Sequence, residues 1–182
     1  MTFKKWIFIA IFLFGIGIVL GMTVPGSFAN LFSEDLAAIA ELSAILKPFT
    51  VTTAAFIMLK NIIALLVSFI FSPIFLVMPV LALTVNGGLL SFVAGIGVQQ
   101  ESLGYVIGAL LPHGIIELPA LIIGEAASLN FGATAVMSVI SERRRHLLLP
   151  NLKENLRYLV IAGIMLVPAA IIETWITPLF LQ

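Results

Sequence analysis

From Phe49 to Val98 the sequence carries a single ionisable side chain, Lys60. A continuous helix of that length would reach roughly 75 Å, whereas the hydrocarbon layer of a bilayer is about 30 Å thick and is crossed by about 20 residues. The stretch must therefore fold back on itself. Ser72-Pro73 is the place for it, because proline donates no backbone hydrogen bond and disfavours helical geometry in the residue before it. Two crossings are predicted, at about 49–71 and 74–98, joined by a tight hairpin. The rest of the chain has the same character: 61% of its residues are hydrophobic and 10% charged, against about a quarter charged in soluble domains. A chain of 182 residues accommodates one integral membrane domain, 1–182, and no soluble catalytic module of ordinary size. It has no cysteine, which excludes disulfides, thiolate metal sites and cysteine nucleophiles.

Three further apolar runs are predicted to cross, at about 6–23, 103–131 and 158–181. The first follows Lys4 and Lys5 as a signal peptide would, but it exceeds the usual apolar core of about 7–15 residues and reads as an uncleaved helix. Between the first two crossings, Leu31, Leu36, Ile39 and Leu42 recur at helical spacing opposite Glu34, Asp35 and Glu41. This predicts an amphipathic helix at about 30–47. Its acidic polar face suits packing against the rest of the protein better than lying on a membrane surface. Basic residues favour the cytoplasmic side. Lys4, Lys5 and Arg143 to Arg145 on that side place the acidic helix outside, which requires five crossings with the N-terminus cytoplasmic and the C-terminus extracytoplasmic. The predicted fold is thus an all-α polytopic bundle in the cell membrane, surrounded by lipid. Topology accounts for the arginine run, and no nucleic acid partner is expected. Gly17/Gly21 and Gly104/Gly108 have the spacing that lets helices approach closely in lipid. The first pair reads more readily as packing within the chain. With twofold symmetry dominant among homo-oligomers, the two pairs suggest a dimer.

Polar side chains at hydrocarbon depth are costly unless paired, so they face protein or water. Lys60, Asn61 and Asn86 are of this kind, with Asn61 and Asn86 suited to hydrogen bonds between helices. The densest group is LPHGIIELPALIIG, Leu111 to Gly124. Pro112, Gly114 and Pro119 predict a helix broken there, with His113 and Glu117 beside the break. Three readings of that pair stand: a hydrogen bond that closes the break, a cation site completed by Glu173, or an ion or proton relay. Zinc is the expected cation if one is bound, since calcium and magnesium prefer all-oxygen shells. Glu125 lies on nearly the same helix face as Glu117. Neither an HExxH pair nor a GxSxG elbow occurs, and no enzymatic activity is expected.

The segment LLPHGIIELPALIIG, with NGG at Asn86 to Gly88 and VPAAIIETWITP around Glu173, resembles the stage II sporulation protein M family of small polytopic membrane proteins. The resemblance covers most of the chain and is most specific at PHGIIELPA. It implies a non-enzymatic multi-spanning protein, a membrane scaffold or anchor for other membrane or cell-envelope proteins. It also implies a shared polar core of Asn61, Asn86, His113, Glu117 and Glu173.

Overall fold

The structure, a computed structural model, describes residues 2–23 and 47–180, leaving aside the His113 side chain. All but the last residue of the expected amphipathic helix at 30–47 therefore lies outside the described residues. Five long helices follow in order: α1 (Phe3–Thr23), α2 (Val51–Phe71), α3 (Val77–Gln100), α4 (Leu103–Ile140) and α5 (Leu148–Ile171). A short 3-10 helix, Glu142–Leu147, leads into α5. A π turn, Ile172–Ile176, and another 3-10 turn, Thr177–Phe180, follow it. Among the described residues, five apolar helical stretches are long enough to cross a membrane. Large side chains such as Phe8, Phe12, Ile63 and Ile164 are exposed along them, as lipid-facing surfaces require. The chain is a helical multi-pass membrane protein.

Hydrogen-bonding demand sets the ends of these helices. Thr50 caps α2 by accepting from the Thr53 N–H, and Ser102 caps α4 by accepting from the Tyr105 N–H. At the reversal between α2 and α3, the Ser72 hydroxyl donates to the Phe69 carbonyl. Phe75 and Leu76 adopt φ of 49° and 63°, the left-handed turn that brings α3 back beside α2.

The helix expected to break does not. α4 runs 38 residues through Pro112, Gly114 and Pro119 as one element, about 57 Å long. Helix termini leave four N–H and four C=O groups without internal partners, each costing several kcal/mol where no water reaches. A proline inside the helix forfeits one N–H bond. In hydrocarbon the continued helix is the lower-cost solution, and the local rule for water-exposed chains overstates the breaking power of these residues.

α4 is also the centre of the bundle. Every residue from Gly124 to Asn130 is buried. On one side Ala126 and Leu129 pack with Trp6, Ala10 and Phe14 of α1 and Leu83 of α3. On another, Ala120 packs with Leu65 and Phe69 of α2 and with Leu159, Ala162 and Leu166 of α5. The small side chains of this stretch let four helices close around it.

Candidate functional site

α2 and α4 run parallel, and two hydrogen bonds cross between them two turns apart. The Asn61 side-chain amide donates to Glu117 Oε1 at 3.1 Å, and the Ser68 hydroxyl donates to Glu125 Oε2. The register holds along the seam. Leu65 sits against Gly124, where an added Cβ would lie 2.7 Å from its Cδ2. Below it the Phe69 and Phe131 rings stack with centroids 4.9 Å apart. Glu125 is 1% exposed, and Glu117 is half-buried.

At the end of this seam nearest the start of α2 Glu173 joins the group. The π turn that carries it forms just past Pro168, which has no N–H for the helical ladder, and Thr174 donates its hydroxyl to the Ala170 carbonyl. The turn is held to the start of α2 by the Phe49 N–H, which donates to the Thr174 carbonyl at 3.1 Å. Glu173 comes within electrostatic reach of both Glu117 and Lys60, and Lys60 is exposed. Among the described residues no ion pair links these three, and no three His, Asp or Glu side chains gather as a metal site.

Asn86 is not part of this seam. It is exposed on α3, and its amide donates back to the Ala82 carbonyl at 2.7 Å. It does share a cavity with Glu117. The cavity, about 1090 Å³, opens between the C-terminal halves of α1 and α3 and the N-terminal half of α4 and is walled mainly by apolar side chains such as Ile18, Leu90 and Leu121. Glu117 thus faces two ways, towards Asn61 on one side and this cavity on the other.

A second polar group was not foreseen from the sequence. Asn130 of α4 donates to Asn155 Oδ1 of α5 at 3.0 Å, Asn155 donates to Asn151 Oδ1 at 3.0 Å, and Asn151 donates to Asn130 Oδ1 at 3.2 Å. Three amides close a ring in which each gives and receives once. The i, i+4 spacing of Asn151 and Asn155 was a legible signal for one face of a helix. Ser68 and Asn130 had none, because a lone polar residue in an apolar run does not name its partner.

The profile described as Stage II sporulation protein M matches residues 10–178. The chain belongs to the stage II sporulation protein M family. A protein of Methanocaldococcus jannaschii, described as uncharacterized, is 29% identical over 86 residues, 47% of this chain and 48% of that relative. The match spans about half the length of the curated relative. No solved structure matches the chain. In this family member the residues around Glu117, Glu125 and Glu173 all lie within the matched span, and the seam they form joins α2, α4 and the end of α5.

Three of the four paired glycines of this family member, Gly17, Gly21 and Gly108, have intrachain uses. A Cβ at Gly17 would collide with the Thr84 carbonyl, one at Gly21 with Ser91 and the Gly88 carbonyl, and one at Gly108 would lie 3.0 Å from Phe180 Cβ. The close-approach faces offered as grounds for a dimer are largely covered within one chain.

Proposed function

We propose that this family member is a non-enzymatic membrane anchor or scaffold, a rigid bundle that positions other membrane or cell-envelope proteins. The supporting observation is a set of polar side chains on different helices that bond to one another: Asn61 to Glu117, Ser68 to Glu125, and the asparagine ring. Such bonds fix helix register and rigidity. Glu117→Gln keeps an acceptor for Asn61, so a scaffold tolerates it. The test is ion and proton flux into vesicles reconstituted with the purified protein. Flux no greater than in empty vesicles is expected; flux that Glu117→Gln abolishes would overturn the scaffold in favour of transport.

Transport of a small ion or solute is the second reading, favoured by the cavity that reaches Glu117. Both readings allow a divalent cation held by His113, Glu117 and Glu173. One imidazole with two carboxylates suits zinc, and Lys60 offsets part of the acidic charge without one. Metal analysis of untagged protein decides: one zinc per chain, lost in Glu117→Gln and Glu173→Gln, is the positive result. In the proposed topology, with a cytoplasmic N-terminus, cysteines placed at Ser33 and Ser141 label from opposite sides of intact membranes. Same-side labelling removes the five-crossing topology.

A further inference from the structure

At the other end of the bundle, away from Glu117, a pocket of about 290 Å³ lies between α4, the 3-10 connection and the start of α5. Its volume is that of roughly ten water molecules, too much for a structural hydration site. One edge of the asparagine ring, Asn130 and Asn151, forms its floor, with the Thr134 hydroxyl beside them. Across that floor stand two opposite charges, Arg144 and Glu154.

These charges do not neutralise each other. Among the described residues the ion pair formed is Arg145 with Glu142, and Arg144 directs Nη1 at the Met137 thioether, a weak and uncharged acceptor. A cation and an anion that share a polar pocket yet stay apart fit a ligand carrying both signs, with an anion towards Arg144 and an ammonium towards Glu154. The location selects among such ligands. Seven of the nine basic residues, Lys4, Lys5, Arg143, Arg144, Arg145, Lys153 and Arg157, lie at this end of the spans, against the acidic residues Glu142 and Glu154. Stacking of Phe3 on Tyr158, with ring centroids 3.5 Å apart, brings the two groups of basic residues to one level. In the proposed five-crossing topology that level lies among the lipid headgroups, where basic pockets between helices hold phosphates. The exposed Leu147 at the rim leaves an apolar exit for acyl chains.

We propose that this pocket binds a phosphate ester bearing a primary ammonium group, the headgroup of phosphatidylethanolamine. Arg144 takes the phosphate, Glu154 the ammonium, and Thr134 and the asparagine amides the remaining polar atoms. A purely anionic lipid would meet Glu154 unfavourably. A choline headgroup has no N–H to offer it.

The full-length protein, purified and challenged with equimolar phosphatidylethanolamine, phosphatidylcholine and phosphatidylglycerol, is examined by native mass spectrometry for retained lipid. Phosphatidylethanolamine is expected to dominate by about tenfold, the effect of one charge-assisted hydrogen bond. Glu154→Gln should remove that preference while lipid is still retained, and Arg144→Gln should lower retention of all three. Thermal melts of both variants confirm folding, which exposed positions should leave intact. Equal retention of the three lipids, or a preference unchanged in Glu154→Gln, overturns the proposal. So does displacement of bound lipid by soluble phosphoethanolamine at matched concentration, which would assign the pocket to the free ester.

Discussion

The α1–α3 and α2–α4 seams lie in the same bundle and are built on opposite principles. Along α1–α3, glycines bring backbone against backbone at Gly17, Gly21 and Gly87, and among the described residues no side-chain hydrogen bond crosses. Along α2–α4, carboxylates on one helix meet an amide and a hydroxyl on the other. Lipid tails are as apolar as leucine, so neither seam draws on ordinary hydrophobic attraction between helices. One holds by dispersion at short range; the other holds because its polar groups have no better partner. The first should fail through added volume and the second through lost partners.

The largest effect is expected where added volume meets backbone. Gly17→Leu would drive a side chain into the Thr84 carbonyl, and overpacking against rigid backbone costs about 3 kcal/mol or more. Loss of the folded monomer, followed by thermal unfolding in detergent, is the expected result. Gly15→Leu, at a position with nothing within 4 Å, should melt like the parent. If both variants behave alike, α1 and α3 do not pack as described.

Next in size is Glu125→Ala, which removes buried volume and leaves the buried Ser68 hydroxyl without its acceptor. A loss of about 2–4 kcal/mol follows from void and unpaired group together. Ser68→Ala, which removes the donor and little volume, should cost about 1 kcal/mol, the usual scale of a hydrogen bond between membrane helices. Equal effects from the two would mean that the bond, not the volume, governs the polar seam.

Asn155→Ala opens the asparagine ring and strips partners from Asn130 and Asn151. About 1–3 kcal/mol is expected, read from the same melts, and Asn130→Ala added to it should contribute less than it does alone because the two share bonds. Additive losses would count against a closed ring.

Smallest of all is Glu117→Gln. The substituted side chain still accepts from Asn61, and a change under about 1 kcal/mol is expected. A fall of several kcal/mol in the presence of metal, absent when parent and variant are compared after chelation, would instead mark Glu117 as a cation ligand.

Composition and the spacing of apolar runs were enough to read an all-helical protein with five crossings, because the bilayer imposes one length and one way of satisfying backbone groups. The Ser72-Pro73 reversal was legible for the same reason. Asn61, Glu117, Glu125 and Glu173 were legible as polar residues costly at depth, but their partners were not, and Ser68 and the asparagine ring gave no such signal. Asn61 pairs with Glu117 and Ser68 with Glu125 across more than fifty residues, a relation that only the register of two parallel helices decides. The sequence drew attention to Pro112–Pro119, where local rules predicted a break. Tertiary structure placed the centre instead at Gly124–Asn130, because continuous helix is the cheapest state for a backbone out of water and small side chains determine where four helices meet.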